Sequence, residues 1–238
     1  MRQIIISAVL LTMVCGCKES KTYNTAFYKM YELQGHVKTC KVTSFDAEYT
    51  DGTYKKGEEG GVIAEYEFNE GGYLTRDGDF TYLYNDDNTF KEGHMKGNDG
   101  IAVNLLINDL GQMYKQEAVA LTPEYEDATW KTEYSFDQNG ALISEKTVYW
   151  ESGSEYKYKC DERGLRVSYS GSYNLDYETK TSFNTEYEYL KFDKQGSWTE
   201  RAIKMTEINE RIDIMTEEVL DSETTYSYQI QTREITYY

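Results

Sequence analysis

The sequence predicts a mainly all-β chain: an antiparallel meander of repeated β-hairpins in a strongly twisted sheet, able to curl on itself, with a short N-terminal helix. Three observations predict it. Tyrosine is heavily used, with 24 residues against 8 Phe and 3 Trp among 238, and there is a single proline. Tyr and Thr suit pleated, half-buried surfaces, and Tyr can bury its ring while its hydroxyl stays wet. Side chains also alternate with a period of two. Ala64, Tyr66 and Phe68 take one face while Glu65 and Glu67 take the other. Trp130, Tyr134 and Phe136 alternate with Lys131, Glu133 and Ser135, and Tyr156, Tyr158 and Cys160 with Lys157 and Lys159. Near the end, Tyr226, Tyr228 and Ile230 alternate with Ser227, Gln229 and Gln231. The third observation is a turn sequence that recurs between such runs.

Taken in chain order, residues 1–16 read as an export signal. Arg2 supplies the positive start and Ile4 to Leu11 the apolar stretch, well short of the roughly 18 to 20 residues that span a bilayer. Small Gly16 stands directly before Cys17, so Val14, Cys15 and Gly16 resemble a lipobox. The resemblance implies cleavage before Cys17 and acylation of its thiol and new amino end. At ~0.8 kcal/mol per buried CH₂, two or three long chains hold a protein firmly to a membrane. Residues 17–32 are then lipid anchor and tether, and 33–238 one domain. No Asp follows Cys17, which by analogy with sorting rules favours the outer membrane and leaves its periplasmic or cell-surface face open. Tyr23 to Leu33 is the stretch suited to the short helix.

The recurring turn reads aromatic or apolar residue, Asn or Asp, two variable residues, Gly, one more, then an apolar residue. It appears around Asn69–Gly72, Asn108–Gly111, Asp137–Gly140 and Asp193–Gly196, with weaker copies at Asn85–Asn88 and Asp161–Gly164. Asp or Asn opens a type I turn by accepting hydrogen bonds from the turn's own backbone. A residue at positive φ three positions later closes a bulged hairpin. Six such corners imply at least six hairpins. The segment Met205 to Val219 fits helix spacing as well as strand alternation; the strand reading places a turn at Asn209-Glu210. Once Cys15 is removed and Cys17 acylated, Cys40 and Cys160 remain, in a compartment that permits disulfides. They are either a bridge or two small thiols.

The motif Phe/Tyr-Asp-x-x-Gly-x-Leu resembles the YD repeats of RHS-type proteins. More narrowly, the chain resembles repeat-bearing lipoproteins of Gram-negative gut bacteria. The match rests on Leu33-Gln34-Gly35-His36-Val37-Lys38, on Asp193-Lys194-Gln195-Gly196-Ser197-Trp198-Thr199-Glu200-Arg201, and on Thr232 to Tyr238. Ser197 and Glu200 depart from the Gly-Asn-Trp-Thr-Lys-Arg form of those families. The resemblance implies stacked hairpins and no catalytic residues.

Composition excludes several function classes. A formal net charge of −17 repels nucleic-acid phosphates and anionic lipid headgroups. Two histidines, His36 and His94, give little material for a zinc site or a nucleophile with its base, and both sit in polar stretches that read as loops. No Gly-x-Ser-x-Gly or phosphate-loop sequence occurs. Asn85 to Asn88 and Asn98-Asp99 crowd oxygen ligands, but not at calcium-loop spacing, and turn chemistry accounts for them. No cofactor is expected. The leading expectation is a non-enzymatic envelope protein, held to the membrane through Cys17, that offers a sheet face or edge to a protein partner. The alternative is a glycan binder using Trp130, Trp150 and Trp198 as stacking platforms. A carboxylate-dependent hydrolase is the remote third reading.

Overall fold

The alternating runs form strands, and each strand pairs with its neighbours in the chain. The computed structural model describes residues 23–149, 152–174, 179–213, 215–216 and 218–238. The export signal, Cys17 and the start of the tether lie outside these residues, as does Trp150. Helix α1 (Ala26–Met30) comes first, then β1 (Val37–Thr50), β2 (Thr53–Phe68), β3 (Leu74–Asp77), β4 (Phe80–Tyr84), β5 (Phe90–Met95), β6 (Asn98–Ile107) and β7 (Met113–Ala120). A 3₁₀ turn over Pro123–Ala128 leads to β8 (Trp130–Phe136), β9 (Leu142–Tyr149), β10 (Gly153–Cys160) and β11 (Arg166–Asn174). The long strands β12 (Thr179–Phe192), β13 (Trp198–Ile212) and β14 (Val219–Tyr237) complete the chain.

The all-β reading holds, but the sheet is not open. Its order is that of a meander whose last strand returns to its first, making a closed barrel of 14 strands. β1 and β14 pair antiparallel from Val37↔Tyr237 to Asp46↔Gln229. Closure has a plain physical reason: each of these strands otherwise presents an unpaired row of N–H and C=O groups. It also removes the sheet edge, one of the two surfaces, face or edge, expected to meet a protein partner.

The six corners form as their residue spacing dictates. At Asp137 the carboxylate Oδ1 accepts the amides of Asn139 at 2.8 Å and Ala141 at 2.9 Å. The Gly140 amide donates to the Asp137 carbonyl at 3.0 Å, with Gly140 at a φ of 83°, where a Cβ would be strained. The same bonds recur at Asn108, Asp161 and Asp193, with Gly111, Gly164 and Gly196 at positive φ. Asn69 accepts from the Tyr73 amide and is followed by Gly72 at positive φ. Asn88 takes the glycine's place in its own corner at a φ of 64°. Because the corners join β2–β3, β4–β5, β6–β7, β8–β9, β10–β11 and β12–β13, they all lie at one end of the barrel. The start of β1 and the finish of β14 share that end.

Helix α1 plugs it. The residues from Asn24 to His36 touch one corner after another. The Asn24 amide donates to the Gly71 carbonyl at 2.8 Å and its side chain to the Gly111 carbonyl at 3.0 Å. Lys29 Nζ reaches the Asn139 carbonyl at 3.0 Å, and the Gln34 amide donates to Ser197 Oγ at 2.8 Å. Phe27, Tyr28, Met30 and Leu33 are buried with Val37, Phe68, Leu74 and Met113 in one core. The folded unit therefore begins well before residue 33, and the second half of the expected tether belongs to it.

Two local expectations change. β13 runs through Asn209 and Glu210, which pair with Glu223 and Ser222. The reversal comes later, where the Asp213 amide donates to the Glu218 carbonyl and Asp213 Oδ1 accepts the amides of Met215 and Thr216. His94 lies in β5 rather than in a loop. Cys40 and Cys160 stand as separate thiols on β1 and β10, which are not neighbours in the sheet.

Candidate functional site

Just past α1, Glu32 turns into the barrel at a φ of 56° with 3% of its surface exposed. A carboxylate buried alone would be costly, and the barrel wall supplies its partners. Arg201 donates from Nη1 to Oε2 at 2.9 Å, and Trp198 Nε1 approaches the same oxygen at 3.4 Å. The Tyr189 hydroxyl at 2.5 Å and the Arg166 amide at 2.7 Å donate to Oε1. Burial works to raise the Glu32 pKa, but Arg201, Arg166 and Arg233 together bring it down to about 2. It is an ion in the interior.

The same arginines hold the backbone that ends the helix. Arg166 Nη2 donates to the Met30 carbonyl at 2.7 Å, and Arg233 donates to the Tyr31 carbonyl at 2.7 Å and the Glu32 carbonyl at 3.0 Å. Terminal carbonyls of a helix lack intrahelical partners and carry its partial negative charge. Trp198 is fully buried beneath this cluster, with the Arg233 guanidinium 3.6 Å and the Arg201 guanidinium 4.2 Å from its ring. Four wall strands, β11 to β14, thus lock the plug in place.

On the mouth side of the lock the lumen is lined by tyrosine. Glu145, Tyr156, Tyr158, Arg166, Tyr169 and Tyr187 surround a chamber of about 280 Å³. Tyr158 donates to Glu145 Oε2 at 3.0 Å, and the Arg166 guanidinium lies 4.6 Å from the Tyr158 ring. Farther round the wall, the Tyr31 hydroxyl donates to Asp77 Oδ2 at 3.0 Å. Burial pushes Asp77 up to about 6; the Tyr31 bond opposes this and the Glu145 charge adds to it. Burial also raises Glu145, against its Tyr158 bond and the Arg166 charge. These two acids are the nearest counterpart of the carboxylate-pair reading, each held by a tyrosine hydroxyl.

Away from the plug the barrel opens. On β1 the inward residues run from buried Val42 and Ser44 to exposed Asp46 and Glu48. On β14 they run from buried Arg233 and Gln231 through half-buried Gln229 to exposed Ser227 and Thr225.

The outer wall has the opposite character. Across β7 to β10 the outward positions include exposed Val119 and Val148 and the charged residues Lys115, Glu117, Lys131, Glu133, Lys146 and Glu155. They face one another as Lys115↔Glu133, Glu117↔Lys131, Glu133↔Lys146 and Glu155↔Lys146. Ion pairs join Lys115 to Glu117, Lys131 to Glu133, and, on β2 and β3, Arg76 to Glu65 and Glu67. A barrel that crosses a bilayer shows an apolar band there, since a Lys or Arg at mid-membrane costs about 2–4 kcal/mol. The charges at these positions interrupt any such band here.

Most residues singled out from the sequence have structural places. The corner residues from Asn69 to Gly196 ring the plugged end. Trp198 is core, and Trp130 faces inward, edge-on to Phe80 at 5.8 Å, so neither is an outer stacking platform. Outside, Tyr49 stacks on Tyr228 at 5.5 Å and 22°, while Tyr54 is tilted 48° from Tyr49; this is one stacked pair, not a flat surface of three rings. Sequence reasoning missed Glu32, Arg166, Arg201 and Arg233. Their signal was modest: a single acid between Tyr31 and Leu33, and arginines in phase with inward Ile203 and Ile235.

Fold and site together define a plugged, tyrosine-lined β-barrel with a charged outer wall. Among solved structures the chain is similar to a porin-like protein from Bacteroides vulgatus ATCC 8482, at 14% identity and a TM-score of 0.40 over 86% of this chain and 99% of that one. It is also similar to a porin-like protein from Bacteroides uniformis ATCC 8492, at 12% identity and a TM-score of 0.35 over 84% and 96%. No protein-family model matches the chain, and no curated protein matches it.

Proposed function

We propose that this chain is a non-enzymatic cell-envelope protein, lipid-anchored through Cys17 to the outer membrane, whose barrel stands in water as a cup. The observation that carries this reading is the pairing of a charged outer wall with a plugged, tyrosine-lined lumen. Residue 23 enters at the plugged end, so the tether leaves from the closed base and the mouth points away from the membrane. Such a shape serves capture of a small ligand better than contact through a sheet edge. The repeat family to which the corners are similar is compatible with this role and supplies no chemistry to it.

Detergent phase partitioning tests the anchor and the water-facing wall together. Wild type is expected in the detergent phase with an acylated Cys17, and Cys17→Ser in the aqueous phase, folded without detergent. A Cys17→Ser barrel that still needs detergent would overturn the water-facing reading. The cup is tested by labelling with a bulky maleimide. Ser227→Cys at the mouth should react in the folded protein while native Cys40 beside the plug should not; an unreactive Ser227→Cys would count against an open mouth.

A further inference from the structure

We propose that the lumen chamber bounded by Tyr156, Tyr158, Tyr169 and Tyr187, with Glu145 and Arg166 at its base, binds a neutral sugar ring. This rests on the cup reading and names its ligand class. Every side chain around the chamber carries a polar group, and four of the six are tyrosines, with Arg166 over one side of the Tyr158 ring, Arg201 over one side of the Tyr187 ring, and Tyr169 stacked on Tyr187. No aliphatic side chain is among them, so a purely apolar ligand would leave these polar groups without partners. A pyranose ring matches the combination: its C–H faces pack on aromatic rings and its hydroxyls both donate and accept.

Bonding capacity is available. Among the described residues, the hydroxyls of Tyr156, Tyr169 and Tyr187 make no hydrogen bond. Among the same described residues, Glu145 uses only Oε2, for Tyr158, and Arg166 commits only Nη2 of its guanidinium, to the Met30 carbonyl. Charge selects among polar ligands. Tyrosine rings around a carboxylate could also cage a quaternary ammonium ion, but the Arg166 guanidinium already holds the cation position over Tyr158. A second cation would meet it among the same rings. An anion would meet Glu145, with Asp77 behind it close enough for the two charges to be felt. A neutral ligand meets neither penalty. The volume, about 280 Å³, falls just under the roughly 300–1,000 Å³ of sites for drug-sized molecules, which suits one or two rings of a longer glycan.

Saturation-transfer NMR on the mature protein, in an uncharged detergent free of sugar, tests this with glucose, galactose, mannose and N-acetylglucosamine. Choline and glycine betaine are the competing arm. At least one sugar should bind saturably. Tyr169→Ala should weaken it on the order of tenfold, and Tyr187→Phe, which keeps the ring and the packing, by a smaller factor. Glu155→Gln, on the outer face of β10, should leave it unchanged. No saturable sugar signal, binding of choline or betaine instead, or sugar binding indifferent to both tyrosine variants would each overturn the proposal. If Ser227→Cys is labelled and no sugar binds, the ligand class is wrong and the cup stands; if Ser227→Cys is blocked, the cup reading itself fails.

Discussion

At the plugged end, corner residues close on the segment around α1, and Tyr189 on β12 and Arg201 on β13 meet a single interior carboxylate beside the Arg166 backbone amide on β11, while Arg233 on β14 holds the Glu32 carbonyl. At the mouth, the same sheet ends in tighter reversals such as Asp51-Gly52, with both residues at positive φ, as two-residue hairpins require. There the inward residues Asp46 and Glu48 are exposed. One end is fastened by a buried ionic lock, and the other by its turns and by exposed ring contacts such as Tyr49 on Tyr228. A sheet of uniform hydrogen bonding can thus carry very unequal local stability, set by what its inward side chains touch.

The largest effect should come from removing the carboxylate on which the lock converges. Glu32→Ala leaves Arg201 and its neighbours buried without their counter-ion and should cost about 3–5 kcal/mol in urea unfolding. Glu48→Ala, the matching change at the mouth, should stay within about 0.5 kcal/mol. Equal midpoints for the two would erase the distinction between the ends.

Glycines sharpen it next. Gly72 and Gly52 share a positive φ, at 79° and 76°. A Cβ on Gly72 would stand 2.2 Å from the Asn24 carbonyl oxygen, while one on Gly52 meets nothing within 4 Å. Gly52→Ala should therefore cost only the backbone strain, about 1 kcal/mol. Gly72→Ala must also displace the plug and should cost about 3 kcal/mol or more. Gly140→Ala, whose closest neighbours are the far ends of Gln112 and Lys29 at 3.4 Å, should resemble Gly52→Ala. Thermal or urea denaturation of the three variants decides it.

The gentlest test is in pH, because its effect is spread over about two units. Folding raises Asp77 from 3.8 to about 6, so the folded chain holds that proton more tightly. The stability it contributes is full below about 3.8 and is lost as pH climbs through about 6, by at most about 1.4 kcal/mol per unit. Glu32 works the other way: lowered from 4.5 to about 2, it stabilises above about 4.5 and loses this as pH falls toward 2. Asp77→Asn should flatten the loss between pH 4 and 6 and leave the acid limb intact. A variant curve parallel to wild type across that window would remove Asp77 from the account.

Strand alternation and the corner motif were legible because both are local. Asp137 and Gly140 write a turn within four residues, and Tyr66 and Phe68 declare their face by period alone. Closure was not legible, since Val37↔Tyr237 joins opposite ends of the chain and nothing in either strand names the other. The lock was hidden for a related reason. Arg201 and Arg233 occupy positions that alternation marks as inward, where a charge makes sense only once a distant Glu32 is known to reach it. Alternation left Trp198 open to two readings, core packing or a stacking platform, and only its place against Arg201 and Arg233 shows that it is core.

The seam between β1 and β14 has a consequence for how the molecule comes into being. Its partners stand nearly the whole polypeptide apart, from Val37 to Tyr237, and contacts of such separation are slow to form. Until β14 has been made, β1 has β2 on one flank and nothing on the other. Until then the first strand stands with one side bare, open to pairing with a stranger, and the cylinder zips shut only when the final residues arrive.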